Sequence, residues 1–451
     1  VIPLETVEGE QRENPVAGIF DGLLAEIAGS VPLRRVGRVV ETRRGLVQVA
    51  GLGPAAIGDR VVIQSRDSVA GGEVLRLTPG VCFVLPDSAG DGMAIGDRVE
   101  LLGRAEVAPA DSWVGRIIDP TGQPLDGRPL IRGPVPRALR APAPAAATRR
   151  RLGGRLSTGV AIFDTLLPLV RGQRIGLFAG SGVGKSSLLA RFAQGVEADV
   201  VVIALVGERG RELREFTERV LGPRGLARSV VVTATSDQSP LMRRMCVPTA
   251  MAVAEHFRDQ GKHVLLLVDS ITRFAEAHRE VALAGGEEAS LRGYPPSLSQ
   301  AIMGLAERAG PGPEGMGDIT AVFSVLVAGS DMDEPVADIL RGVLDGHVVM
   351  DRRIAERGRF PAIDLLRSVS RSLPEAASEG ENAMIAEARR LLGAYDRAEL
   401  MIQAGLYAAG SDPVIDRAIR LWPALDGFLA EDAPLGGPEA SFERLRACLK
   451  D

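Results

Sequence analysis

The chain has 451 residues, enough for about three domains at roughly 150 residues each. Its 45% apolar and 25% charged residues are those of a globular protein, which excludes a largely disordered, collagenous or disulfide-stapled chain. No apolar run approaches the roughly 18 residues of a membrane-spanning helix, and a net charge of −5 gives no global electrostatic footprint for nucleic acid. Cys82, Cys246 and Cys448 are odd in number, far apart and without C-x-x-C spacing, which argues against a disulfide framework or structural zinc and fits a reducing cytoplasm. The start shows no secretory signal, and because it reads Val1 we expect the natural N-terminus to lie upstream. Among 53 basic residues only Lys185, Lys262 and Lys450 are lysines, so each lysine asks for a reason.

Residues 1–31 carry Ile19, Phe20, Leu23, Leu24 and Ile27 at helical spacing, which predicts a short amphipathic helix packed on the body or docking a partner. Residues 32–104 turn to short Val/Ile/Leu runs broken by glycine and predict a small β-barrel. Ile57-Gly-Asp-Arg60 recurs as Ile95-Gly-Asp-Arg98, each leading into a strand, so one turn chemistry is expected twice. A barrel that binds single-stranded nucleic acid needs aromatic platforms, and only Phe83 is on offer, so a scaffold is favoured. Residues 127–154 are rich in Pro, Ala and Arg, contain no acidic residue, and read as a solvated linker.

Within residues 105–375, strand-like runs at Arg174–Ala179, Val200–Val206, Val230–Ala234, Val264–Val268 and Ile319–Val327 alternate with amphipathic stretches. That alternation predicts an α/β domain with a mostly parallel sheet. Residues 376–451 show helical spacing and predict a helical C-terminal domain.

The informative stretch begins where the apolar strand 174–179 runs into Gly180-Ser181-Gly182-Val183-Gly184-Lys185-Ser186-Ser187 and a helix-forming segment follows. Glycines there let consecutive N–H groups converge on phosphate oxygens, and the new helix presents its own free donors to the same anion. Lys185 would reach the β- and γ-phosphates and the Ser186 hydroxyl would hold Mg²⁺, while Ser187, counted with the nucleotide-binding residues, is expected to turn elsewhere. Position 179 is Ala where the strict pattern has Gly; the remaining glycines keep the turn feasible. Asp269 ends a strand and is placed to support the Mg²⁺ shell; the competing reading is that it caps the following helix. Glu208 ends the 200–206 run, at the strand edge where open α/β sheets put their ligands, and a carboxylate there can align an attacking water. Glu212, inside a charge-laced helix, is read as solvated or paired.

The order of Phe178–Ser186, Ala204–Glu212, Leu267–Phe274, Gly293–Ser297, Leu344–His347 and Arg359–Arg371 resembles the flagellar and type III secretion export ATPases, relatives of the catalytic β subunit of rotary ATP synthases. The resemblance covers nearly the whole chain. It implies a RecA-like P-loop core and a ring, a homo-hexamer, binding ATP with Mg²⁺ between neighbours. By position it makes Glu208 the catalytic glutamate, Arg209 a phosphate-proximal arginine, Arg371 an arginine finger reaching the next subunit, Phe360 an adenine wall and Tyr407 a second wall. It also implies a regulator on the N-terminal segment, a stalk-like protein in the pore near Tyr294, export-gate and chaperone–cargo partners, and a cytoplasmic location peripheral to the inner membrane. Flagellar export leads. An injectisome ATPase would share the chemistry, a synthase-type regulatory subunit would be expected to lack Glu208, and an RNA-translocating ring is disfavoured by the aromatic-poor barrel.

Overall fold

The structure, a computed structural model, describes residues 27, 34–43, 45–88, 92–327 and 334–450. The expected helix in residues 1–31 lies outside the described residues apart from Ile27.

Six strands close a barrel: β1 (Val36–Arg43), β2 (Leu46–Ala50), β3 (Asp59–Gln64), β4 (Val69–Thr78), β5 (Val81–Pro86) and β6 (Arg98–Arg104), in the order β1-β2-β5-β4-β3-β6 with β6 returning to β1. Alternate residues such as Val47, Val49, Cys82 and Val84 point inward, and closure leaves no strand edge unpaired. The repeated tetrapeptide makes one turn twice. Gly58 and Gly96 take φ of +90° and +93°, a region that favours glycine. Each following aspartate accepts a backbone N–H three residues back, Asp59 from Ala56 at 2.8 Å and Asp97 from Ala94 at 2.7 Å. Phe83 has the Arg76 guanidinium 3.8 Å above its ring, so that face is already covered.

The central sheet contains β7 (Arg116–Ile118), β8 (Arg174–Ala179), β9 (Val200–Glu208), β10 (Ser229–Thr235), β11 (His263–Asp269), β12 (Asp318–Leu326), β13 (Gly346–Met350) and β14 (Ile363–Ser370), in the order β14-β13-β8-β12-β11-β9-β10-β7. All these neighbours are parallel except β13 and β14. Along β9, Val200, Val202, Ala204 and Val206 enter one core and Val201, Ile203 and Leu205 the other, because helices cover both faces. The five expected strands are present, and β7, β13 and β14 extend the sheet on its two flanks.

Three helices, Glu379–Gln403, Pro413–Phe428 and Gly437–Cys448, make the C-terminal region and pack Leu391, Phe428 and Leu445 into the second core. The first starts on a reciprocal capping box between Ser378 and Glu381. The Arg-rich stretch departs from the solvated linker expected. Arg140 pairs with Glu73 of the barrel at 2.6 Å, Arg149 with Glu307 at 3.2 Å, and Arg150 with Asp318 at 2.6 Å, while Arg137 pairs with Asp259. Its lack of acidic residues has a cause: the partners lie on the elements it straps together. Barrel and sheet are joined again where Arg244 of the Pro240–Asp259 helix reaches the same buried Glu73 at 2.7 Å.

Candidate active site

The strand β8 ends at Ala179 and the helix Lys185–Gly195 begins six residues later; between them Gly182 and Gly184 take φ of +77° and +87°. Only glycine holds such angles without strain, and they turn the backbone into a cradle over the helix start. Val183 is 1% exposed and packs into the core, so what it can offer an anion is its backbone. Ser181, Ser186 and Ser187 are exposed and line the cleft above the loop, Ser187 included although its side chain was expected to turn elsewhere. The cleft has a volume of about 1250 Å³, ample for a nucleoside triphosphate.

β12 separates the loop strand from β11, and a side chain on it bridges the gap. Asp269, at the end of β11 and 3% exposed, accepts a hydrogen bond from the Ser324 hydroxyl of β12 at 2.7 Å and a second from the Lys185 ammonium. The reading of Asp269 as a helix cap does not hold: the neighbouring Ser270 hydroxyl accepts the Arg273 N–H at 3.3 Å. Asp269 is thereby left to its bond with Lys185, which lines the cleft.

Glu208 ends β9, one strand further on. Burial first, then the negative charge of Asp269, raises its carboxyl to about 7, with Lys185 pulling the other way and a hydrogen bond from the protonated Glu208 to Glu212 adding to the rise. Glu212 is paired, as read from sequence, but with a double role: it sits against Glu208 and also accepts from Arg209 at 3.4 Å. Arg209 is 81% exposed at the cleft mouth.

Arg273 is a cleft residue that sequence reading passed over. Its stem lies beside Gly207, where a Cβ would meet it at 3.6 Å, and its Nε is buried with no hydrogen-bond partner. The available signal was position: it follows the Asp269 strand tip by one helical turn.

The structure brings Phe360 to the loop, its ring 3.1 Å from where a Cβ on Gly184 would stand. Tyr407 lies in the turn before the Pro413–Phe428 helix, its hydroxyl donating to Asp412 O at 3.1 Å or Asp416 Oδ1 at 3.0 Å. Arg371 is not brought to this chain's own cleft. It follows β14, whose Ser370 pairs with Gly346 at the start of β13, whereas the loop lies at the other end, beyond Met350. Four strand steps put on the order of 13 Å between those edges before any side chain is counted. Arg371 is exposed and donates to Arg341 O at 3.1 Å.

For Mg²⁺, no group of three or more His, Cys, Asp or Glu among the described residues could cage a metal. The donor set present, a serine hydroxyl and a strand-tip carboxylate on one cleft, fits an ion that keeps several waters and takes its other ligands from substrate phosphates.

A glycine cradle on a parallel sheet, with carboxylates at the tips of the strands beyond it, defines a P-loop nucleotide-binding domain of RecA-like class. The family model of the ATP synthase alpha/beta nucleotide-binding domain matches residues 159–370, and that of the T3SS EscN ATPase C-terminal domain matches residues 377–445. A flagellum-specific ATP synthase of Caulobacter vibrioides is 45% identical over 91% of this chain and 94% of its own. A type 3 secretion system ATPase of Xanthomonas euvesicatoria is 40% identical over 94% and 97%. The assembled ATPase EscN with its central stalk EscO, from the enteropathogenic E. coli type III secretion system, superposes with a TM-score of 0.84 at 36% identity, covering 92% of this chain and all of that one. The chain belongs to the family of flagellar and type III secretion ATPases.

Proposed function

We propose that the protein is an Mg²⁺-dependent ATPase that energises flagellar protein export, working as a ring of six copies that unloads or unfolds export substrates. The observation that carries hydrolysis, rather than nucleotide binding alone, is Glu208: a carboxyl held near neutrality beside the phosphate cradle is poised to accept a hydrogen bond from water and align it with the γ-phosphorus. A synthase-type regulatory subunit has no need of that group.

The loop amides and Lys185 bind the phosphates, Lys185 exchanging its bond to Asp269 for a phosphate oxygen. Ser186 and Asp269 would hold Mg²⁺, which neutralises phosphate charge when bound. Arg209 faces the γ-phosphate from the mouth. Phe360 forms one wall for the base, with Tyr407 as the second. Arg371, too far from its own cleft, serves a neighbour's. Its position supports a ring more directly than any surface patch, because the site lacks that guanidinium until a second copy arrives. The complex of EscN with a central stalk supports a stalk-like partner in the pore, and we assign the Tyr294 segment to that side of the ring. We assign the regulator to the N-terminal segment, and export-gate proteins and chaperone–cargo complexes to the outer face of the ring. The location is cytoplasmic and peripheral to the inner membrane; no helix among the described residues is long and apolar enough to cross it. RNA translocation has no support in a barrel whose single aromatic is covered by Arg76.

Specific ATPase activity should rise with protein concentration, because each site is completed by assembly. Glu208→Gln and Arg371→Ala chains, each inactive alone, should regain activity when mixed, since a ring then holds sites with both groups intact. Concentration-independent activity, or no recovery on mixing, would overturn the shared site. The injectisome reading rests on the EscN-type C-terminal match, and complementation of a non-flagellate strain lacking its export ATPase decides between the two systems.

A further inference from the structure

Phe360 is 49% exposed, and its ring is not locked by a core of its own. What holds it in place is the residue before it. The Arg359 side chain is only 10% exposed; its Nε forms an ion pair with Asp426 at 3.0 Å and its Nη2 donates to Ile363 O at 2.8 Å, across the turn that carries Phe360. Asp426 belongs to the Pro413–Phe428 helix. Two residues upstream, Arg357 pairs with Glu399 of the Glu379–Gln403 helix at 2.8 Å. Those two helices are fastened to each other by Tyr395 and Trp422, stacked with ring centroids 4.7 Å apart. The segment carrying the ring is therefore gripped by both C-terminal helices at once, and the ring lies against the loop at Gly184.

The grip is also incompletely satisfied. Arg359 Nη1 is buried without a hydrogen-bond partner, and a buried donor left unpaired is destabilising. A guanidinium kept there in spite of that cost points to a role that a well-packed apolar side chain could not fill.

We infer that Arg359, anchored by Asp426, is a positioning residue that holds Phe360 as the base wall of the cleft and so ties the orientation of the C-terminal helices to nucleotide affinity. This rests on the reading of Phe360 as that wall. A displacement of the helix pair moves Asp426, and with it Arg359, the turn and the ring. The phosphate cradle, built from β8 and the helix after it, does not share this anchor. The C-terminal helices thus reach the base end of the cleft through ion pairs, whereas they meet the helix after the phosphate loop within a shared apolar core.

The test is equilibrium binding of ADP and of inorganic tripolyphosphate to the full chain and to Asp426→Asn, Asp426→Glu and Phe360→Ala. Losing a base-stacking ring is worth about 0.5–1.5 kcal/mol, so Phe360→Ala should weaken ADP about two- to twelvefold and leave tripolyphosphate unchanged. Asp426→Asn should weaken ADP by about threefold with tripolyphosphate again unchanged, Asp426→Glu should restore part of the loss, and Asp426→Asn added to Phe360→Ala should cost nothing more. Equal losses for both ligands would show general damage to the fold and overturn the inference. A normal ADP affinity in Asp426→Asn beside a weakened Phe360→Ala would overturn the anchor alone. A normal ADP affinity in Phe360→Ala would overturn the base wall and the anchor with it.

Discussion

The two ends of the cleft are built on opposite plans. At the phosphate end the working groups are fixed by the sheet: Asp269 and Glu208 terminate adjacent strands, Ser324 bridges from β12, and Lys185 opens the helix that follows β8. At the base end an exposed ring is held by ion pairs that reach across from the C-terminal helices. Strand tips in a close-packed parallel sheet cannot move without disturbing both cores, whereas two ion-paired arginines can follow a helix pair. Chemistry is thus assigned to the rigid end and adjustable affinity to the other.

The largest effects should therefore come from the phosphate end. Glu208→Gln is expected to lower kcat by about 10²–10⁴, the usual contribution of a group that handles the proton of a nucleophile, with ATP affinity within about threefold of the parent. Lys185→Ala should lose affinity for ADP and for tripolyphosphate alike. A Glu208→Gln chain with near-normal turnover, or a Lys185→Ala chain that loses ADP but keeps tripolyphosphate, would erase the distinction between the two ends. Steady-state rates and titration calorimetry measure both.

The same division explains what could be read from the sequence. The strands β8 to β12 announce themselves because burial on both faces makes them continuous apolar runs, and the phosphate loop stands out because its glycines and one of three lysines adjoin such a run. Glu208 and Asp269 follow as the polar residues on which two of those runs end. β7 and β13 are short, and β14 is antiparallel with Leu366, Arg367 and Val369 exposed, so none of the three carries that signature. The Arg-rich stretch misled for a related reason: its partners Glu73, Asp259, Glu307 and Asp318 are far away in sequence, so the charge run looks unpaired until the chain folds. The Arg359–Asp426 anchor is hidden in the same way. Roles for Phe360 and Arg371 came from motif resemblance and not from periodicity or composition.

An intermediate effect is expected in the pH profile. With Glu208 raised to about 7, the competent carboxylate is lost as pH falls through that value, so kcat/KM should drop about tenfold per unit below it. The terminal phosphate of ATP titrates nearby, with a second pKa of about 6 for a phosphate monoester, so the limb alone does not identify Glu208. Glu212 does. Its carboxyl pushes Glu208 upward, and Glu212→Gln replaces it with a neutral amide that can donate to the carboxylate, so the limb should move to lower pH. Substrate ionisation would not respond to that change, and an unmoved limb would remove Glu208 from the profile.

The smallest effect should come from Tyr407, where ring and hydroxyl can be separated. The hydroxyl is engaged within its own turn, by Asp412 and Asp416, and Asp416 also accepts the Gly410 N–H at 2.9 Å. A base would stack on the ring, which Tyr407→Phe retains. That variant should keep ADP affinity within about twofold while losing on the order of 1 kcal/mol of stability, the usual net worth of one intramolecular hydrogen bond, seen as a lower unfolding midpoint. Tyr407→Ala should weaken ADP, though less than Phe360→Ala, because Phe360 alone is seated against the loop. If Tyr407→Phe weakens ADP as much as Phe360→Ala does, the hydroxyl contacts the nucleotide directly, and the base end is then held by a polar contact as well as by its stacked walls.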